Sequence, residues 1–367
     1  MITTTIHPLF TRMRMLRGPL AAMVLGGLIT PNPQVETPST GLLNSSRAVA
    51  IHLRTGKVYA VDSGGNAVEI FNPVTRLTTR LAVGKGPVAI AVNEPTNTIY
   101  VANSGGDTVS AIDGTTDTLK KDIKVGPRPY VVAANPATSK IYVSNTFSRV
   151  ITVIDARTNL TTTVAAGSAD AIAVDQKLDR VYLLGYEDSN LTVLDQSARV
   201  VRKVAAGIHL WGIAVNERTH RLYLTRSGNG ELLVLDEQSA QSTTLPVGAM
   251  PCAVAVNEVT NQVYVANHIA NTITVFDASK GVTVATLKVG SRPQALAVDP
   301  ERNLVYVANT HGDSVSVIDG AQNVLRETIK TGKNPYALAV SPTGGQLYVA
   351  VEGDKALEVI DIERQLR

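Results

Sequence analysis

Cysteine is nearly missing from this chain. Cys252 is the only one in 367 residues, so no intramolecular disulfide can form and a cysteine-ligated zinc site is excluded. Aromatic residues are scarce at 4%, against 44% hydrophobic residues overall, so the interior must be built from Val, Ile, Leu and Ala. Net charge is also small. The excess of +3 is accounted for by Arg12, Arg14 and Arg17 in a segment that has no acid. The body after residue 30 is therefore neutral and gives no strong signal for nucleic acid. Gly-rich phosphate loops, a Ser-His-Asp set at interpretable spacing and a haem-attachment Cys-x-x-Cys-His are all missing as well.

The first 30 residues read as an export signal. Residues 12–18 (RMRMLRG) are basic and 19–29 (PLAAMVLGGLI) apolar, a run too short to span a bilayer comfortably. No A-x-A site comes after it, only Thr30-Pro31-Asn32-Pro33, so 1–30 is expected to be either a signal peptide or an uncleaved membrane anchor. Either way the protein is expected to be exported: periplasmic, cell-surface or secreted. Any membrane contact is expected only through this segment.

The rest of the chain is a repeat. Residues 254–290 contain four short runs rich in Val, Ile, Thr and Tyr, separated by Asn-, Asp- and Gly-containing turns, the pattern of a four-stranded antiparallel meander. The tyrosine of its second strand recurs as Tyr59, Tyr100, Tyr142, Tyr182, Tyr223, Tyr264, Tyr306 and Tyr348, at intervals of 40 to 42 residues. Third strands end in Asn72, Asp113, Asp155, Asp195, Asp236, Asp277, Asp319 and Asp361, where a short polar side chain can close the following turn. A four-stranded unit with this period predicts an all-β fold, a β-propeller occupying 31–367 as one domain. Eight copies favour eight blades, with seven plus an extra N-terminal unit as the alternative. The last copy stops after its third strand, so 34–40 (QVETPST) is expected to close the ring as the missing outer strand.

The motifs IYVAN (99–103), IYVSN (141–145) and VYVAN (263–267 and 305–309) resemble the YVTN-repeat propellers of bacterial and archaeal surface and periplasmic proteins. The resemblance covers roughly 41–367. It implies the propeller fold and a binding role more than a defined chemistry.

Packing and function separate along the repeat. Nine residues before each tyrosine stands alanine in all eight copies, from Ala50 to Ala339, as expected of an inner strand buried on both faces. Twelve before, the copies differ: Arg47, Val88, Tyr130, Asp170, Trp211, Cys252, Gln294 and Tyr336. Fourteen before, they include Arg128, His209 and Arg292. These variable positions are expected to ring the mouth of the central channel, on loops held by a rigid scaffold. Asn103, Asn145, Asn267 and Asn309, three after the tyrosine, are expected to pin the adjacent loop, a pattern broken by Gly185 and Arg226.

The two irregular copies bring together Asp170, Tyr186, Glu187, Asp188, His209, Trp211 and Arg226, the candidate ligand site. Arg226 and His209 could hold an anion while Trp211 and Tyr186 offer stacking surfaces; drift of degenerate copies is the structural alternative. His268 and His311 lie on the same face without a recurring carboxylate, so they read as solvated loop residues. Cys252 reads as an apolar filler.

No catalytic set recurs. The expected function is an exported binding module for an unknown protein, peptide or small molecule, acting as a monomer without a cofactor. Two other readings stay open. One is a propeller enzyme of the lyase or lactonase type, which could use a divalent metal. The other is a single-stranded nucleic-acid binder using Tyr130, Trp211, Tyr336, Arg128 and Arg292.

Overall fold

The computed structural model describes residues 48–146, 148–343, 345–352 and 357–366. These residues form eight antiparallel sheets, seven with four strands and the last with three. Each sheet is one copy of the repeat and its strands pair in chain order, so blades succeed one another without crossovers. The fold is an eight-bladed β-propeller, and the seven-bladed alternative is set aside. Blade eight (Ala337–Val340, Gln346–Ala350 and Leu357–Asp361) completes the ring. Its Ala337, Ala339, Tyr348 and Ala350 share one apolar cluster with Val49, Ala50 and Tyr59 of blade one. Segments 1–30 and 34–40, the expected export signal and closing strand, lie outside the described residues, as does Arg47.

The alanine rule has a register behind it. Ala255 sits directly across from Tyr264, and the same pairing recurs from Ala50 with Tyr59 to Ala339 with Tyr348. Cross-strand partners project from the same face. The small residue therefore leaves room for the ring beside it, and all eight tyrosines are essentially inaccessible. Apolar clusters run across blade boundaries: Ala255 and Tyr264 of blade six pack with Leu296, Val298 and Val305 of blade seven. The core is thus a ring of seams between blades.

Short polar bonds set the turns. Asp277 Oδ1 accepts the amides of Ser279 (3.0 Å) and Lys280 (3.1 Å), and Asp113 does the same for Thr115 and Thr116. Asp361 instead caps the short helix Ile362–Gln365 by accepting the Arg364 amide, so the last blade departs from the repeat there. Asn267 Nδ2 donates to Thr272 (3.0 Å) and Thr274 (2.9 Å), and Asn309 to Ser314 and Ser316, which is the expected pin. It also explains the glycines at the unit ends Gly84, Gly126, Gly248 and Gly290, each packed on such an asparagine: a Cβ on Gly290 would lie 2.6 Å from the Asn309 side chain. Among the described residues no helix is long and apolar enough to cross a membrane.

Candidate functional site

One face of the ring carries the loops between second and third strands and the connections between blades. Residues fourteen before the tyrosine stitch these together. Arg128, His209, Met250, Arg292 and Asn334 all adopt left-handed backbone, with φ between +48° and +60°. In several blades the amide is held by an Asx of the preceding blade, as Arg128 by Asp107 and Arg292 by Asn271, both at 2.8 Å. The carbonyl accepts from the blade's own loop, as Arg292 does from Thr310 at 3.0 Å. The left-handed geometry therefore belongs to the repeat and is not strain peculiar to His209.

Five of the residues twelve before the tyrosine share a different device. Pairing in blade six jumps from Pro251 with Asn267 to Ala253 with Ala266, leaving Cys252 as the extra residue of a β-bulge. Val88, Tyr130 and Gln294 occupy the same bulge in their blades. In blade five the register breaks between Leu210 and Ile213, around Trp211. A bulge re-aims its side chain and frees it from the ladder, which is why these positions vary while the alanine does not. Their surroundings differ. Tyr130, Asp170 and Tyr336 are half-buried, whereas Trp211, Cys252 and Gln294 are buried. Cys252 Sγ donates to the Pro293 carbonyl at 3.3 Å, and Gln294 Oε1 accepts from Thr310 at 3.1 Å. Burial pushes the Tyr336 hydroxyl up to about 12.

Four of the seven sector residues come together. Asp170 Oδ2 accepts the Tyr186 amide at 2.7 Å, and the Tyr186 carbonyl accepts the His209 amide at 2.8 Å. The Tyr186 ring then stands 5.1 Å from His209 and 5.4 Å from Trp211, edge-on to the indole at 80°. The other three diverge. Glu187 is exposed at the loop tip. Asp188 accepts the Asn190 amide within its own loop and packs over Gly167, where a Cβ would come within 2.6 Å of it. Arg226 donates through Nε to the Ala206 carbonyl (2.8 Å) and pairs with Glu231 (3.4 Å), taking over the pinning done elsewhere by asparagine. Its guanidinium braces the blade.

The remaining histidines do not assemble a centre. His268 Nδ1 lies 3.2 Å from the Pro293 carbonyl, and burial, with Arg292 and His311 nearby, lowers its pKa. Among the described residues no three His, Cys, Asp or Glu side chains are grouped as metal ligands.

Sequence reasoning missed a cluster at the opposite face. Glu217 is fully buried, Asp175 likewise, and Glu258 nearly so. Glu258 Oε1 accepts the Glu217 amide of the preceding blade at 2.7 Å, just as Glu94 Oε1 accepts the Leu53 amide at 2.5 Å. Neither oxygen of Glu217 reaches a well-formed hydrogen bond. Burial pushes its pKa up to about 8, the Gln176 amide opposes this, and Asp175 and Glu258 add to it. Asp175 is in turn 2.7 Å from His220 Nδ1. The available signal was the acid that directly succeeds the inner strand's last Asn in copies two, five and six.

The sequence matches the family of seven-bladed β-propeller lactonases over residues 43–323. That span runs from just before blade one into the last turn of blade seven; blade eight lies beyond it. No curated protein matches the chain. Two solved structures share its fold. Dihydro-heme d1 dehydrogenase NirN in complex with DHE is 14% identical with a TM-score of 0.74, covering 94% of this chain and 81% of that one. Kuenenia stuttgartiensis hydrazine synthase is 18% identical with a TM-score of 0.60, covering 91% of this chain and 97% of the other.

Proposed function

The chain belongs to the seven-bladed β-propeller lactonase family, and we propose that it hydrolyses a lactone at the channel mouth between blades four and five. The family match over residues 43–323 carries this reading. The choice of sector is supported by Asp170, Tyr186, His209 and Trp211, which bring polar and aromatic groups together. In the proposed reaction the His209 imidazole takes a proton from an attacking water as its oxygen bonds to the acyl carbon. The proton returns to the ring oxygen as the acyl–oxygen bond breaks, giving a hydroxy acid. Asp170 acts as a positioning residue by holding the loop that carries Tyr186.

The test is proton release from a panel of γ- and δ-lactones in a pH-stat. His209→Asn suits the left-handed backbone at this position and should lower turnover by about 100-fold or more. A folded protein that hydrolyses none of the panel, or an unchanged rate in His209→Asn, refutes the reading.

A second reading, recognition without turnover, is supported by the variety at one repeat position. Val88, Tyr130, Asp170, Trp211, Cys252, Gln294 and Tyr336 place six kinds of side chain at the start of the inner strand, an arrangement suited to an asymmetric ligand. Saturable binding with no hydrolysis would favour it. In either case the basic-then-apolar segment 12–29 supports action outside the cytoplasm, and the IYVAN and VYVAN motifs support kinship with YVTN-repeat propellers.

A further inference from the structure

We propose that Trp211 and Tyr186 form a subsite for an uncharged, aromatic-fused lactone, with Trp211 Nε1–H donating to the carbonyl oxygen. The identity of the ligand rests on the lactonase reading; the subsite itself rests on four observations.

The first is an unmatched donor. Trp211 is 4% exposed, and its indole N–H has no hydrogen-bond partner. Buried polar groups are rarely left unmade, because an unpaired one forfeits its full desolvation energy. The second is a contrast with its neighbours in the ring. Cys252 and Gln294 occupy the equivalent bulge, are equally buried, and are both hydrogen-bonded. The unmatched donor is therefore no general consequence of the bulge.

The third observation is the aromatic neighbour. Tyr186 lies edge-on to the indole and is half-buried, while its backbone is fixed on both sides by Asp170 and His209. In the proposed complex this one side chain rotates to admit the ligand beside the indole without unseating the loop, and its ring remains there as a stacking partner. The fourth is charge. Asp170 holds the Tyr186 amide and Glu187 and Asp188 follow Tyr186 in the chain, whereas Arg226, the one arginine among the sector residues, is committed to Ala206 and Glu231. A donor in acidic surroundings favours a neutral carbonyl over a carboxylate. The same charges repel the hydroxy acid once the ring has opened, which assists product release.

Trp211 is the only tryptophan in the chain, so its fluorescence reports the subsite directly. The probes are hydrocarbostyril (the lactam counterpart of dihydrocoumarin, which does not hydrolyse), valerolactam, which lacks the aromatic ring, and melilotate, the ring-opened anion. Hydrocarbostyril should quench the fluorescence saturably, with valerolactam and melilotate about tenfold weaker or worse. By calorimetry, Trp211→Phe and, independently, Tyr186→Leu should each weaken hydrocarbostyril binding about tenfold. Wild-type affinity in both variants, no saturable quenching, or tighter binding of melilotate than of hydrocarbostyril overturns the proposal. Hydrocarbostyril binding that depends on Trp211, without hydrolysis of dihydrocoumarin or of any lactone in the panel, supports the subsite and removes the lactonase reading. Dihydrocoumarin hydrolysis with the same KM in Trp211→Phe does the opposite.

Discussion

Glu217→Gln should flatten the pH dependence of stability. The Glu217 carboxyl is fully buried between blades, and its folded-state pKa stands at about 8 against an ordinary 4.5. Between those values the folded chain holds a proton that the unfolded chain has released. Stability from this group is therefore fully present below about pH 4.5 and is lost as pH rises toward about 8. One group can contribute at most about 1.4 kcal/mol per pH unit, so the ceiling between about pH 6 and pH 7.5 is about 2 kcal/mol. Glu258, also raised by burial, acts in the same direction and remains in the variant. The wild-type slope should thus shrink without vanishing. Glutamine keeps the shape of the protonated acid and cannot ionise. Urea unfolding of wild type and Glu217→Gln across this window measures the difference, with every other titrating group common to both. Parallel stability curves would refute the assignment of a raised pKa to Glu217.

Three further outcomes rest on the same geometry. Gly290→Ala should cost about 1–3 kcal/mol in urea unfolding, because its Cβ would meet the Asn309 side chain at 2.6 Å. Adding Asn309→Ala should recover part of that loss, and strict additivity would show that the clash is not the cause. Arg226→Ala should lower stability by about 1 kcal/mol yet leave the KM for any lactone substrate unchanged, since its guanidinium is engaged with Ala206 and Glu231; a changed KM would return it to the ligand site. The Cys252 thiol, pushed up to about 12 by complete burial, should resist Ellman's reagent in the folded protein and react with one equivalent only on unfolding. Rapid labelling under native conditions would contradict this.

The candidate site was only partly readable in advance. The break in the asparagine pattern at Gly185 and Arg226 singled out this sector, because a repeat makes any departure visible against its copies. It could not say which way each side chain turned. Tyr186, His209, Trp211 and Asp170 converge, whereas Arg226 replaces the missing asparagine as a brace and Asp188 folds back over Gly167. Both groups break the same rule, so sequence position alone treats them alike. The Glu217 cluster was overlooked because its three acids fall in different copies, more than forty residues apart, and meet only across blade seams.

The linear chain by itself determined the blade. The tyrosine period, the invariant alanine and the turn-closing Asp are local consequences of strand pairing, and each appears eight times or nearly so. They specify a four-stranded unit and, by their count, a ring of eight. What lay beyond the chain's own pattern was the relation between one blade and the next. The bulge around Trp211, the left-handed stitch that ties His209 to Tyr186 of the preceding blade and the unmatched N–H of Trp211 are set by pairing and packing that the repeat pattern does not spell out. The same is true of the protonated carboxyl at Glu217. Those features depend on contacts between residues far apart in the chain, and only the tertiary structure decides which of them are buried, paired or left without a partner.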